Sequence, residues 1–201
     1  EQSLIDSQAD YAAIGEGERT MSQLADGLDP SSVEGLVYWE NGKPKRSNPN
    51  IKNLIETKKI YTTKIGSQSR NFQIDIDDFG EPDWESINPT TYPKKMPHGM
   101  IFKSLPLAPI ITTRGCPYSC IYCSGPITAG RRMRYRNPVK VVDGIEMLIK
   151  KYGVKEIQIE DDNFTLKRKH VIAICEEIIK RKIKIDWCLP NGVRIDKLDP
   201  E

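Results

Sequence analysis

Three cysteines within eight residues form the part of the sequence best suited to chemistry. Cys116, Cys120 and Cys123 are spaced C-x3-C-x2-C and follow a short apolar run that ends in a glycine turn. Thiolates are soft ligands that suit iron–sulfur clusters and zinc, and such sites usually have four protein ligands. This loop offers three, because the remaining cysteines, Cys175 and Cys188, lie far along the chain. We expect those two to have buried structural roles.

The cysteine loop resembles the signature of the radical S-adenosylmethionine (SAM) enzymes, in which the residue before the last cysteine, here Tyr122, is aromatic and lies near the cofactor. The resemblance implies that Cys116, Cys120 and Cys123 hold three irons of a [4Fe-4S] cluster, and that the fourth iron binds the amine and carboxylate of SAM. A zinc knot or a redox-active cysteine pair is the alternative. The strand before the loop and the strand and helix patterns after it favour the cluster, because structural context is what supports a motif.

The elements after the loop alternate between helix and strand. Asn137-Pro138 predicts a helix start, Gly153 its end, and Thr165 can cap a second helix. The pattern predicts an α/β fold in which three parallel strands carry two helices on one side, the start of a partial parallel (β/α) radical SAM barrel. The predicted strands span residues 107–113, 154–160 and 183–188.

Polar residues follow the predicted strands at the edge where sites gather in parallel sheets. In radical SAM enzymes the turn after the second strand binds the SAM amino group, which implies that role for Asp161, Asp162 or Asn163. A carboxylate beside an ammonium forms a charge-assisted bond, but the same residues could form an Asx turn that caps the next helix. Arg194 is a candidate partner of the SAM carboxylate, since arginine matches carboxylates bidentately, or it has a structural role.

The N-terminal stretch predicts a strand at residues 11–14, a glycine turn, and a helix capped by Thr20. It is similar to the end of a Rossmann-like cobalamin-binding domain in cobalamin-dependent radical SAM proteins. The resemblance implies that Gly15, Glu16 and Gly17 are neighbours of cobalamin, and the alternative is a purely structural turn. Asn41-Gly42 further along predicts a hairpin.

The resemblance divides the chain into three segments. They are the C-terminal end of a cobalamin-binding-like domain (1–43), an inter-domain connection (44–105) and the N-terminal half of a radical SAM core (106–201). The connection has poor apolar periodicity but carries the run Asp78–Trp84, which also matches the family. On this interpretation the chain is a fragment, and we expect it to be inactive alone, because a radical SAM core needs about six strand–helix units.

Composition narrows the class of protein. The 201 residues are 38% hydrophobic and 29% charged, and no apolar run reaches the length of about 20 residues that spans a membrane. Five cysteines, three of them clustered, do not form a disulfide framework, which favours a reducing cytoplasm.

Charge is divided unevenly along the chain. Residues 1–109 carry 12 Lys and Arg against 16 Asp and Glu, and residues 110–201 carry 18 against 12. The basic run 131–136 lacks the stacking aromatics of a nucleic-acid site. We therefore expect a solvated loop, or one that meets an anionic substrate or cofactor, and no nucleic-acid partner.

The activity implied by the resemblance is reductive cleavage of SAM, followed by radical chemistry on a small-molecule or peptide substrate. The electron comes from a donor such as flavodoxin or ferredoxin, and cobalamin adds methyl transfer to carbon. No residue is singled out as catalytic, since the cofactors carry this chemistry. The alternative is a non-catalytic iron–sulfur or zinc module that serves electron transfer or binding.

Overall fold

The computed structural model describes residues 2–47, 60–65, 68–92 and 102–198. Two compact units divide the chain. Unit 1 consists of Glu1–Asp75 with Pro117–Arg131, and unit 2 consists of Ile76–Cys116 with Arg132–Glu201. The division of the chain at residues 43 and 105, expected from the sequence, stays a prediction.

Unit 1 is built on antiparallel strands. Strand β1 pairs with β2, β2 pairs with β3, and β4 and β5 form a separate hairpin. The elements are helices α1 (Gln2–Ser7), α2 (Gly17–Ala25) and α3 (Gly125–Thr128), and strands β1 (Tyr11–Ala13), β2 (Leu36–Glu40), β3 (Lys43–Arg46), β4 (Ile60–Ile65) and β5 (Gln68–Gln73).

The predicted hairpin turn between β2 and β3 is confirmed. Asn41 and Gly42 both adopt positive φ angles, 53° and 74°, which is the geometry that a two-residue turn requires and that Asn-Gly tolerates best. The predicted strand, turn and helix at β1 and α2 are also present.

Two expectations for unit 1 are not met. Every strand pair described there is antiparallel, so a Rossmann-like parallel sheet is not confirmed. The helix cap at Thr20 is wrong, because α2 begins at Gly17 and the buried Thr20 hydroxyl donates instead to the Glu34 carbonyl at 2.8 Å. A hydroxyl that suits a cap is used here for a tertiary contact.

Unit 2 contains the predicted parallel sheet, in the order β10–β9–β6. Both neighbouring pairs are parallel, as the alternation of strands and helices indicated; closure into a barrel stays a prediction. The elements are strands β6 (Leu107–Ile110), β7 (Thr113–Arg114), β8 (Arg134–Tyr135), β9 (Glu156–Ile159) and β10 (Asp186–Cys188), and helices α4 (Pro138–Tyr152) and α5 (Arg168–Lys180).

Helix α4 has the predicted ends. The Asn137 side chain accepts a hydrogen bond from the Val139 amide at 2.8 Å, and Pro138 occupies the first turn, where its missing N–H costs nothing. Gly153 ends the helix in the left-handed region, with φ of 64° and its amide bonded to the Ile149 carbonyl.

The core of unit 2 lies between the sheet and these helices. Helices α4 and α5 contact each other and share one apolar cluster with β6 and β9. Its buried members include Trp84, Ala108, Val141, Val142, Ile145, Leu148, Ile157, Ile159, Phe164 and Ile174. Trp84 belongs to the segment expected to be an inter-domain connection, so part of that segment packs as a component of the core.

Other boundaries differ from those predicted. Helix α5 begins at Arg168, because Thr165 is buried in the 3₁₀ turn Phe164–Leu166 rather than at a helix cap. The strand expected over 107–113 ends at Ile110, and β7 pairs antiparallel with β8. Two-residue strands have no periodic pattern, so nothing in the sequence indicated that pair. No helix among the described residues is long and apolar enough to cross a membrane.

Candidate cofactor-binding site

The carboxyl ends of β6 and β9 are tied together by one side chain. Asp161 follows β9, and its Oδ1 accepts hydrogen bonds from the backbone amides of Thr112 (2.6 Å) and Thr113 (3.0 Å). Its Oδ2 accepts from the Thr112 hydroxyl at 2.5 Å. Asp161 is 2% exposed. Burial raises the pKa of its carboxyl, and the hydrogen bonds from Thr112 and Thr113 oppose that shift.

The three polar residues of this turn have different environments. Both carboxylate oxygens of Asp161 are engaged inside unit 2, whereas Asp162 is exposed to solvent. Asn163 is 4% exposed, and its Oδ1 has no hydrogen-bond partner among the described residues. Asn163 does not cap the following 3₁₀ turn with its side chain. The exposed carboxylate available to a SAM amine is therefore that of Asp162, and a cofactor contact stays a prediction for all three residues.

The segment after β10 reaches the same edge of the sheet. Asn191 Nδ2 donates to the carbonyl oxygen of Glu160 at 3.0 Å. Arg194 forms a two-point pair with Asp196, in which Nε donates to Oδ1 at 2.9 Å and Nη2 to Oδ2 at 3.1 Å. The arginine is thus engaged with a carboxylate of its own chain, so a SAM carboxylate would have to compete with Asp196 for it.

The three clustered cysteines fall on both units, because the loop crosses the boundary after Cys116. Cys116 is half-buried, and Cys120 and Cys123 are exposed. Within unit 1 the Cys123 amide donates to the Cys120 carbonyl at 3.1 Å. The Cys123 Sγ accepts from the Gly125 amide at 3.3 Å, where α3 begins.

The three thiols are ligands of the chemical type that a soft metal centre binds. None of the three cysteines forms a disulfide, and two are exposed. Among the described residues, however, no group of three or more His, Cys, Asp or Glu side chains is gathered to hold a metal ion. Convergence of the three sulfurs stays a prediction, since cysteine spacing limits their separation but does not fix side-chain directions in a loop without regular structure.

Residues beside the cysteines have contacts that the sequence did not indicate. Arg131 donates from Nη1 to the Tyr118 carbonyl (3.3 Å) and to the Ser119 hydroxyl (2.8 Å), which closes the loop within unit 1. Tyr122 is 90% exposed, so its ring is accessible to a ligand. The role of Tyr122 stays a prediction.

Cys175 and Cys188 are half-buried, away from the loop in sequence. Burial raises the pKa of both thiols, which disfavours the thiolate form that a metal needs. This environment agrees with the structural roles expected for them.

The glycine turn of unit 1 joins β1 to α2. Gly15 has φ of 93°, a conformation that favours glycine, and Gly17 is the first residue of α2. Glu16 lies at the N-cap position, and its Oε2 accepts from the Gln73 amide at 3.1 Å. Glu16 therefore has a structural partner inside unit 1, and the proximity of the three residues to cobalamin stays a prediction.

A buried histidine in unit 2 is a titratable residue that the sequence analysis did not single out. His170 is 5% exposed, and its Nε2 has no hydrogen-bond partner among the described residues. Its ring meets Tyr135 edge to face, with centroids 5.1 Å apart, and the Lys167 ammonium lies 4.6 Å from the Tyr135 ring centre. Since His170 occupies an ordinary position in an amphipathic helix, nothing in the sequence distinguishes it.

Comparison with protein families and curated proteins places this site in context. Residues 110–200 match the family model of the radical SAM superfamily. The chain is 29% identical over 188 residues to an uncharacterized methyltransferase of Pyrococcus horikoshii, covering 92% of this chain and 35% of the relative. It is 36% identical over 203 residues to the anaerobic magnesium-protoporphyrin IX monomethyl ester cyclase of Cereibacter sphaeroides, covering 96% and 28%. The chain thus spans about a third of the length of these relatives.

Solved structures share the fold. The radical SAM methyltransferase TsrM of Kitasatospora setae, solved with cobalamin and a [4Fe-4S] cluster bound, superposes with a TM-score of 0.56 at 20% identity, covering 89% of this chain and 31% of that one. The cobalamin-dependent SAM radical enzyme OxsB, solved with aqua-cobalamin, gives 0.53 at 22% identity, covering 92% and 23%. Residues 110–200, which contain the three-cysteine loop and strands β9 and β10, thus match the radical SAM superfamily, and the chain is similar to methyltransferases and cyclases.

Proposed function

We propose that this chain is part of a radical SAM enzyme that binds a [4Fe-4S] cluster through Cys116, Cys120 and Cys123. The observation that carries the proposal is the set of three free cysteines at C-x3-C-x2-C spacing inside the matched region, in the loop that follows strands β6 and β7. When bound, such a cluster supplies one electron for the reductive cleavage of SAM into methionine and a 5′-deoxyadenosyl radical.

Three thiolates are suited to this role because they leave one iron without a protein ligand. The thiolate is the form of cysteine that binds iron, and Cys120 and Cys123 are exposed, where iron can reach them. The backbone amide of Gly125 donates to the Cys123 sulfur, a contact that stabilises a thiolate more than a thiol.

The carboxyl edge of the sheet supplies groups for the amino-acid part of SAM. Asp162 presents an exposed carboxylate to an ammonium group, and Asn163 has a buried amide oxygen that can accept a further hydrogen bond. Arg194 can bind the SAM carboxylate if it exchanges Asp196 for that ligand.

Cobalamin-dependent methyl transfer to carbon is the outcome that the relatives favour. Two of the similar solved structures contain cobalamin, and several curated relatives are methyltransferases by name. Gly15, Glu16 and Gly17 are the proposed neighbours of cobalamin in this chain. Flavodoxin or ferredoxin is the proposed electron donor, and a small molecule or peptide is the proposed substrate.

Iron and sulfide analysis tests the proposal. After anaerobic reconstitution with ferrous iron and sulfide, we expect the wild-type chain to retain iron and sulfide after desalting. Cys120→Ala should lose most of both, because two thiolates hold a cluster poorly. Cys175→Ala is the matched control and should retain both. Equal loss in the two variants, or zinc in place of iron, would favour a different kind of site.

A further inference from the structure

One buried carboxylate in unit 2, that of Asp161, has both oxygens engaged in hydrogen bonds within the chain. Asp161 receives three hydrogen bonds, and all of them come from two consecutive residues, Thr112 and Thr113. Its Oδ1 holds both backbone amides, while its Oδ2 holds the Thr112 hydroxyl. Neither oxygen is left to face a ligand at the surface, since the residue is 2% exposed.

These contacts act at the point where β6 ends and the cysteine-bearing segment begins. Thr112 is completely buried, and its carbonyl oxygen accepts from the Arg136 amide at 2.9 Å. Its amide, hydroxyl and carbonyl are therefore all fixed. Thr113 opens β7, which pairs with β8, and Cys116 follows three residues later.

We propose that Asp161 is a positioning residue that fixes the start of the cysteine loop and does not itself bind SAM. The effect of Asp161 on a cluster rests on the proposed function. The hydrogen bonds that Asp161 accepts from Thr112 and Thr113 do not depend on it. Asp162 is then the carboxylate that meets the SAM amine. The two adjacent aspartates would thus have separate roles. Asp161 would hold the backbone that leads to Cys116, and Asp162 would contact SAM.

The Asp161→Asn variant separates positioning from ligation. The asparagine oxygen can replace Oδ1 and keep both backbone amides, and its NH₂ can donate to the Thr112 hydroxyl, which then accepts. All three contacts survive, but the negative charge is lost. A positioning residue tolerates this change, whereas a residue that pairs with an ammonium does not.

The experiment compares wild type with Asp161→Ala, Asp161→Asn, Thr112→Val and Asp162→Asn in the same 201-residue chain. Hydrogen exchange is measured at the Thr112 and Thr113 amides, iron after reconstitution, and SAM binding by equilibrium dialysis. Asp161→Ala should speed exchange at both amides about tenfold or more and weaken iron binding about tenfold, as when a residue that orients a metal ligand is lost. Asp161→Asn should resemble wild type in all three measurements, and Asp162→Asn should lose only SAM binding.

A stability-matched variant excludes a general effect of destabilisation. Ile174→Val removes a buried methylene from α5, and it should lower stability without affecting exchange at Thr112 or iron binding. Thr112→Val, which loses only the hydroxyl contact, should speed exchange at these amides less than Asp161→Ala. If Asp161→Ala fails to fold, the comparison of Thr112→Val with Asp161→Asn carries the test: accelerated exchange only in Thr112→Val supports the proposal.

Three results would overturn the inference. They are loss of SAM binding in Asp161→Asn with exchange unchanged, unchanged exchange in folded Asp161→Ala, and equal loss of iron in Ile174→Val. If the wild type takes up no iron, the proposed function fails, but the exchange data still decide whether Asp161 holds Thr112 and Thr113. The two failures are therefore distinguishable.

Discussion

At the scale of single residues, burial sets the protonation of His170. Its imidazole lies beside Tyr135 and is almost completely buried. Burial, and secondarily the positive charge of Lys167, lower the pKa of His170 to about 4, while Asp77 acts in the opposite direction. The folded protein therefore keeps this imidazole neutral at pH values where an unfolded chain would protonate it.

The lowered pKa of His170 predicts that the folded protein loses stability in acid. Between about pH 6.5 and 4 the unfolded state binds the proton and the folded state does not, so stability rises with pH across that window and is lost as pH falls through it. We expect a loss on the order of 2 kcal/mol between pH 7 and 4. Urea unfolding at both values measures it. His170→Gln should remove most of the dependence. An unchanged pH slope in His170→Gln would contradict the assignment.

A motif in the sequence can single out residues for a chemical role, but it cannot distinguish two similar neighbouring residues. The three cysteines were singled out by their spacing, and their role as cluster ligands stays a prediction. The sequence could not distinguish the role of Asp161 from that of Asp162. The direction in which each carboxylate points depends on how the turn is oriented relative to the neighbouring strand. His170 gave no signal, since its burial depends on the packing of Tyr135, which is distant in sequence.

At the scale of elements, the segment after residue 75 anchors helix α4. Asp77 accepts a hydrogen bond from the Asn137 amide at 2.9 Å, and Arg136 pairs with both Asp77 and Glu81. The Glu81 carboxylate lies over Gly144 in the middle of the helix. A Cβ atom at Gly144 would meet its atoms at 3.1–3.3 Å, which is tighter than ordinary van der Waals contact.

The close approach of Glu81 predicts that alanine at position 144 does not give the stabilisation usual for a mid-helix glycine. Alanine in place of a mid-helix glycine normally stabilises a protein by about 1 kcal/mol, but the Gly144→Ala methyl would require the Glu81 carboxylate, which pairs with Arg136, to shift by a few tenths of an ångström. We expect Gly144→Ala to be neutral or destabilising in wild type and to stabilise by about 1 kcal/mol in a Glu81→Ala background. Urea unfolding of the four proteins gives the coupling. Equal stabilisation in both backgrounds would show that Glu81 moves aside without cost.

Elements with local signals were predicted well. Helix α4 was predicted at both ends because Asn137, Pro138 and Gly153 act within one turn of the boundary. The starts of α2 and α5 were wrong, because Thr20 and Thr165 are buried and do not cap the helices. The parallel order of the sheet followed from alternation, whereas the β7–β8 pair depends on residues twenty apart that carry no periodic pattern.

At the scale of the whole molecule, the chain carries the radical SAM match at residues 110–200 on a parallel sheet. The fold similarity to TsrM covers 89% of the chain, so it extends into unit 1. Its antiparallel strands could not be predicted from the short apolar run at residues 11–14, because pairing direction depends on partners that local patterns do not identify.

The most direct test of the central claim is electron paramagnetic resonance of the reconstituted, reduced chain with and without SAM. A cluster held by three thiolates leaves one iron open, so SAM should change the g-values of the reduced [4Fe-4S] signal, and Cys123→Ala should give no such signal. A reduced cluster whose spectrum is unaffected by saturating SAM, or a chain that binds zinc and gives no signal, would contradict a radical SAM site at Cys116, Cys120 and Cys123.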